Sequence, residues 1–277
     1  MERLVKYFKV ISVFCLVLLV CGCSNVCLLE NDITLEELES RMEQAMDPKG
    51  FFADSKSYYQ SQSLKYEGVF SDDLYEIQIR YLKPHFLKVT TLKFNQLQGA
   101  FIFNGSAAWS VDYRKKTVKN LSGIELIRIK ALYDMLSPGS RYHKLFKNVE
   151  LHKVKRDNKI YYRLTCTPND ERNKLVVYVN ADNYLKELIE YDFIVTIEGK
   201  ERKIKSTNEI EAYDTVNGVL YPLEMKGLTN GVESETVVSD YRFNIELDES
   251  EFQTPIFPNE SANRKKYQKE LDKIKKD

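Results

Sequence analysis

Three histidines are the first residues to weigh for catalysis, and their spacing argues against it. His85, His143 and His152 are scattered along the chain. None stands in an H-E-x-x-H pair, which would put two zinc ligands on one helix face. No G-x-S-x-G turn is present to expose a serine nucleophile. Carboxylates are plentiful, at 41 Asp and Glu, but they fall on the wet positions of alternating segments. Asp72-Asp73 reads as a turn rather than an acid–base pair. With 11 glycines in 277 residues, a glycine-rich cofactor loop is not expected. These patterns point away from an enzyme and imply no metal and no cofactor. A glycosidase built from carboxylates distant in sequence is the one enzymatic alternative.

The five cysteines offer more. Arg3, Lys6 and Lys9 give a basic start, and Val10 to Val20 is apolar except for Ser12. That run is too short to span a hydrocarbon core, which takes about 20 helical residues. It has the form of a secretory signal peptide. Val20-Cys21-Gly22-Cys23-Ser24 follows and resembles the bacterial lipobox, with Cys21 where Ala or Ser is usual. Cys23 would then carry a diacylglyceryl thioether and become the mature N-terminus. Two or three acyl chains anchor firmly, since each buried methylene contributes about 0.8 kcal/mol. The alternative is an uncleaved signal anchor with incidental cysteines. On the lipoprotein reading, residues 1–22 are the signal peptide and 23–33 a lipidated tether. Residues 34–258 are the folded domain and 259–277 a charged tail.

Charge follows from that division. The whole chain has 41 basic and 41 acidic residues. Losing Arg3, Lys6, Lys9 and Glu2 leaves 38 basic and 40 acidic, a formal charge of −2. Nothing here attracts nucleic acid over long range. Cys23, Cys27 and Cys166 remain in the mature chain. A Cys27–Cys166 bridge and two independent thiols are both open, and no Cys/His cluster has zinc-site spacing.

The elements follow from periodicity. Thr34-Leu-Glu-Glu37 has the form of a capping box. Leu35, Leu38, Met42, Ala45 and Met46 then recur at helical spacing, with Glu36, Glu39, Arg41 and Glu43 elsewhere, until Asp47-Pro48. From about residue 60 the period becomes two. Tyr75, Ile77, Ile79 and Tyr81 alternate with polar residues, as do Ile160 to Cys166, Ile189 to Val195, and Val237, Tyr241, Phe243 and Ile245. Asn-Gly and similar pairs mark hairpins at 104–105, 181–183, 198–199, 217–218 and 230–231. Residues 122–137 read as a helical insertion before Pro138-Gly139, with a short helix at 141–146. The class is α+β: one large curved antiparallel sheet, an incomplete β-barrel of ten or eleven strands, with helices over its concave side. A membrane-spanning barrel is disfavoured, because Arg80, Arg163, Glu190 and Asp192 interrupt the face opposite the core.

Four motifs carry a family resemblance. Lys83-Pro84-His85-Phe86-Leu87-Lys88-Val89 resembles the basic-Pro strand of the LolA/LolB-like lipoprotein carriers. Asn104-Gly105-Ser106-Ala107-Ala108-Trp109-Ser110-Val111-Asp112 is similar to their "D/N-G-x-x-x-W-x-x-D/N" hairpin. Val216-Asn217-Gly218-Val219-Leu220-Tyr221-Pro222 and Asp248 to Pro255 resemble their "v-d-G-x-x-y/f-P" strand and closing "D-x-x-x-F-x-x-P". The four occur in family order over residues 35–256. The resemblance implies an incomplete barrel with helices plugging its mouth and acyl chains held noncovalently inside. It also implies that the basic residue before proline, an arginine in the carriers, works in cargo release. Here that residue is Lys83, which lacks a planar guanidinium.

The sequence thus predicts a lipid-anchored envelope protein that holds acyl chains of lipoproteins or lipids, such as palmitate, in lipoprotein sorting. It would sit on the periplasmic face of the outer membrane, Ser24 rather than Asp favouring that address. Candidate cavity residues are Tyr75, Ile77, Ile79, Tyr81, Leu87, Val89, Phe101, Phe103 and Trp109. The rival is a regulatory or structural envelope module reusing this fold, with a protein partner at an outer surface or at the basic tail.

Overall fold

The computed structural model describes residues 26–67, 74–121, 141–168, 174–197 and 200–257. The expected signal peptide, Cys23, Asp72-Asp73, the helix expected over 122–137, the turn expected at 198–199 and the expected 259–277 tail lie outside the described residues. Fourteen strands are described: β1 (Cys27–Leu29), β2 (Ser57–Tyr66), β3 (Leu74–Leu82), β4 (Phe86–Lys93), β5 (Gln96–Asn104), β6 (Ala108–Asp112), β7 (Thr117–Leu121), β8 (Asn148–Arg156), β9 (Lys159–Thr167), β10 (Lys174–Asn180), β11 (Lys186–Ile197), β12 (Lys200–Val216), β13 (Val219–Thr229) and β14 (Val232–Phe243). They form one open antiparallel sheet in the order β1-β8-β9-β10-β11-β12-β13-β14-β2-β3-β4-β5-β6-β7. Two meanders, β2–β7 and β8–β14, meet where β14 pairs with β2. The count exceeds the expected ten or eleven because irregular stretches such as Ser57–Tyr66 and Lys200–Glu209 extend as strands without strict alternation.

Paired residues share a face, so register connects the two meanders. Ile189, Asn208, Gly227, Ser234 and Tyr66 are successive partners across β11, β12, β13, β14 and β2. That row shows that both apolar cores of the helix-bearing face, here the inner face, lie on one side. Gly227 is needed in it: a Cβ there would sit 2.4 Å from Ser234 Oγ. A bulge at Val238–Asp240 in β14 reverses the alternation expected there. Tyr241 and Phe243 point inward with Val238, whereas Val237 faces out opposite Ser63.

Helix α1 (Leu35–Met46) covers the β8–β11 half. Leu38 and Met42 pack on Tyr162, Leu164, Leu175 and Val177. The Glu37 N–H donates to Thr34 Oγ1 at 3.2 Å, but Glu37 does not complete the capping box; its carboxylate takes Arg41 instead. Glu39, expected on the wet side, is buried. It is satisfied there by the backbone N–H of His143 at 3.2 Å and by His143 Nδ1 at 2.7 Å. His143 belongs to α3 (Tyr142–Leu145), the short helix expected at this place. Arg141–Glu43 at 2.6 Å ties the same two helices.

Immediately after α1, Lys49 reaches to within 3.9 Å of the position a Cβ would take at Gly218, in the β12–β13 turn. In a flat sheet β9 and β13 would lie about 19 Å apart, at about 4.8 Å per strand. The 12 residues of α1, about 18 Å long, and the residues that follow bridge that distance. On the outer face a 3₁₀ turn, η1 (Glu249–Phe252), is held by a complete capping box between Asp248 and Glu251. It drives Phe252 into a cluster with Ala100, Ile102 and Val111.

The N-terminal segment is less free than a tether. β1 pairs with β8, and the Asn31 amide donates to Leu151 O at 2.8 Å. Asp32 accepts from Lys153 Nζ at 2.6 Å and Tyr162 Oη at 2.9 Å. Cys27 is exposed and Cys166 buried, both as free thiols. Cys27 lies opposite Lys155 at one end of β8, and Cys166 lies opposite Val149 at the other.

If α1 is the cover of this half-sheet, Leu38→Ala should cost about 2–5 kcal/mol by truncating a fully buried side chain. Urea unfolding measures it; a loss below 0.5 kcal/mol, the scale of surface substitutions, would contradict that role.

Candidate functional site

The inner face of β2–β6 is built row by row. Tyr58, Tyr81, Leu87, Phe103 and Ala108 are successive partners, and all five are buried. The next row along the strands is Gln60, Ile79, Val89 and Phe101. There burial decays across the sheet: Ile79 is 8% exposed, Val89 is intermediate, and Phe101 is 46% exposed. Ile77 and Tyr75 continue the face, both half-buried. Among the described residues the cover over the first row is α2 (Phe51–Asp54), whose Phe52 packs on Tyr58 with ring centroids 5.7 Å apart. A four-residue helix is only about 6 Å long at 1.5 Å per residue, so it shields one row well and leaves the next open.

Eight of the nine cavity candidates therefore share this face. Trp109 does not join them. It pairs with Ile102, whose side faces out, and it packs in the outer cluster around Phe252. Alternation along β6 sends Ala108 inward and its neighbour Trp109 outward.

Both ends of α2 are held by side chains. Asp47 accepts the backbone N–H groups of Phe51 and Phe52, each at 2.8 Å. Lys83 Nζ donates to Phe52 O and, at 2.7 Å, to Ala53 O. It also lies 4.9 Å from the centroid of the Phe52 ring. A carboxylate at the start and a cation at the end both suit the helix dipole. Burial pulls the Lys83 ammonium below its usual range, and Asp54 and Asp47 oppose that. Lysine thus serves two successive helix carbonyls without the planar fork of an arginine.

The four motifs converge at this end of the sheet. Asn104 Oδ1 accepts from Ser106 N at 3.2 Å and Ala107 N at 3.0 Å. Gly105 has φ +89°, and a Cβ there would meet His85 Cβ at 2.7 Å. Val219, after the Asn217-Gly218 turn, is buried in the same core as Phe52.

Sequence reasoning missed a ladder of stacked tyrosines on the inner face. Tyr81–Tyr58, Tyr58–Tyr241 and Tyr241–Tyr221 have centroids 4.9, 5.7 and 4.6 Å apart. The rings cross β3, β2, β14 and β13. Period-two alternation marked Tyr81 and Tyr241 as inward, but pairing between strands distant in sequence leaves no local signal. Phe51-Phe52 was also missed; Gly50, with φ +69° at the helix N-cap, is its one local mark.

The α1 half of the inner face holds a different chemistry. Lys186 is buried opposite Val179, with its ammonium 5.8 Å from the centroid of the Tyr142 ring. Among the described residues the Tyr142 hydroxyl has no hydrogen-bond partner. Burial pushes Lys186 down to about 8, against the opposing influence of Cys166, and pushes the Tyr142 phenol and the Cys166 thiol up.

No protein-family model matches the chain, and no curated protein matches it in sequence. Solved structures do match in shape. A DUF1329 family protein from Desulfovibrio piger aligns at 13% identity with a TM-score of 0.55, over 79% of this chain and 95% of that one. The lipoprotein LppX of Mycobacterium tuberculosis aligns at 10% identity over 79% and 99%, with a TM-score of 0.29. MucB in its complex with MucA from Pseudomonas aeruginosa aligns at 11% identity over 78% and 95%, with a TM-score of 0.25. The first of these supports the fold, a single large antiparallel sheet; the other two superpose too loosely to bear on this chain.

The buried lysine gives a pH-dependent expectation. Below pH 8 Lys186 is charged in both folded and unfolded chains, and its burial penalty is present in full. Between about 8 and 10.5 the unfolded chain holds the extra proton, so the penalty fades as pH rises. Lys186→Met should therefore stabilise the fold at pH 7 by roughly 1–3 kcal/mol, and the gain should shrink towards pH 10. Urea midpoints across that range decide it. A variant less stable than the parent at pH 7 would show that the ammonium is compensated.

Proposed function

We propose that this chain is a lipid-anchored protein of the cell envelope that binds acyl chains on the inner face of its sheet. It acts by noncovalent binding and carries out no chemical reaction. The observation that carries the reading is the decay of burial along one apolar surface, from the Tyr81–Leu87–Phe103 row under α2 to the half-open Ile79–Val89–Phe101 row. An apolar surface with a covered end and an open end suits a flexible hydrocarbon chain, which gains about 25 cal/mol for each Å² removed from water. The lipobox-like Val20 to Cys23 segment supports the address, and the four carrier-like motifs support the ligand class. Residues 1–22 would be removed and Cys23 acylated; handling of lipoproteins bound for the outer membrane is the finer role that fits. In this account Lys83 fastens α2 over the apolar rows, and releasing that clasp would lengthen the open surface.

One observation favours the rival reading, an envelope interaction module. Tyr66, Leu74, Phe94, Leu97, Leu228 and Val232 are exposed, Phe94 at 75%, and all lie at the strand ends remote from α2. A protein partner could cover such a rim.

A soluble form spanning residues 24–277 should bind a fluorescent fatty-acyl probe saturably at micromolar concentration and release it to a competing lipopeptide. A carboxylate in the open row, Val89→Asp, should weaken binding at least tenfold, because one desolvated charge costs more than about 1.4 kcal/mol. No saturable binding, together with co-purification of a stoichiometric protein, would favour the rival.

A further inference from the structure

We propose that the β1 edge of the sheet lies against the headgroups of the membrane that holds the anchor, so that the apolar rim at the far strand ends points away from that membrane. The inference rests on the lipoprotein reading of Cys23 and goes beyond it, because acylation alone would leave the domain free to tumble.

The chain becomes fixed at β1. Cys27, Leu28 and Leu29 pair in register with Lys155, Val154 and Lys153. Asn31 then bonds the backbone of β8 at both Leu151 and Lys153, and Asp32 holds Lys153 and Tyr162. From Cys27 onward the segment is part of the domain. Four residue steps separate Cys23 from Cys27. At about 3.3–3.6 Å per extended residue, the edge strand stays within roughly 14 Å of the acylated sulfur. The headgroup layer takes up about half of that, since it adds roughly 10–15 Å to a 30 Å core over both sides.

The surface at this edge fits such a neighbour. Leu28 is 63% exposed, and Leu29 and Ile160 are exposed beside it. Leu28 and Leu29 point to opposite faces of the strand, so both sides of the edge present an apolar group. Lys155 and Lys159 are exposed around them, at the level of anionic headgroups. A second copy pairing edge to edge is the competing occupant. Three residues make a poor template for it, and the short tether already brings the bilayer there. The rim residues Leu228 and Val232 lie at the opposite strand ends: β13 pairs Thr229 with Val232 of β14, whereas β8 meets Cys27 at its C-terminal end.

The test uses the full chain, expressed with its own leader and purified from membranes. Intact mass reports whether Cys23 is acylated. In a Cys27→Ser background, Lys155→Cys and Leu228→Cys are each labelled with bimane; Cys166 is buried and stays unlabelled. The proteins are placed on phosphatidylcholine–phosphatidylglycerol vesicles carrying a headgroup nitroxide. Quenching at position 155 should exceed that at 228 by at least about threefold, given the reach of the tether. Acylated protein with equal quenching at the two positions, or stronger quenching at 228, would overturn the orientation. So would efficient Cys27–Cys27 cross-linking of the parent protein on vesicles, which would assign the edge to a second copy. A mass without acylation would instead remove the lipoprotein reading itself.

Discussion

Among the described residues, a large sheet has little helix to cover it. Fourteen strands at about 4.8 Å spacing make a sheet about 60 Å across if laid flat. Against that, α1 supplies 12 residues and about 18 Å of helix, while α2 and α3 supply four residues each. Among the described residues these helices cover only part of the inner face, and side chains of neighbouring strands pack on one another across it. The tyrosine ladder across β3, β2, β14 and β13 is one such run of cross-strand contacts, between neighbouring strands about 4.8 Å apart. The row around Phe101 lies next to the one under α2 and is half open.

The short helix α2 is pinned at both ends. A four-residue helix has almost no stability of its own, because fixing the backbone of its first turn gains only one hydrogen bond. Asp47 and Lys83 therefore hold its two ends, and Phe52 supplies the apolar contact. In the other half, buried Glu39 and half-buried Glu43 tie α1 to α3 through His143 and Arg141. Burying Glu39 is tolerable only because both its oxygens find donors. The same half buries Lys186, so the two inner regions differ in kind: one is an apolar surface that is partly open, the other contains buried charge.

Much of the fold was legible because strands of an open sheet alternate with period two. Tyr75 to Tyr81 showed the inner face of β3, and Leu35 to Met46 showed α1 with its end at Asp47. The bulge at Val238–Asp240 was not legible, since one extra residue reverses the faces without altering composition. It misassigned Val237. Trp109 was misassigned for a related reason: the family motif marks it as important but says nothing of which face it takes. Buried Glu39 reads as a surface residue because its partner, His143, lies over a hundred residues away. The candidate site was legible in its strands, through Ile77, Ile79, Leu87 and Val89. Its lid was not, because Phe51-Phe52 lies in a segment too short to show any period.

The central claim is that the open apolar row on the inner face is a lipid site. Native mass spectrometry of the full-length protein, taken from its own cells in mild detergent, tests it most directly. The account predicts a discrete added mass of a lipid or acylated peptide on the folded protein, lost when Val89 is replaced by Asp. A folded protein that carries no such mass, or one that carries a protein subunit in its place, would contradict it.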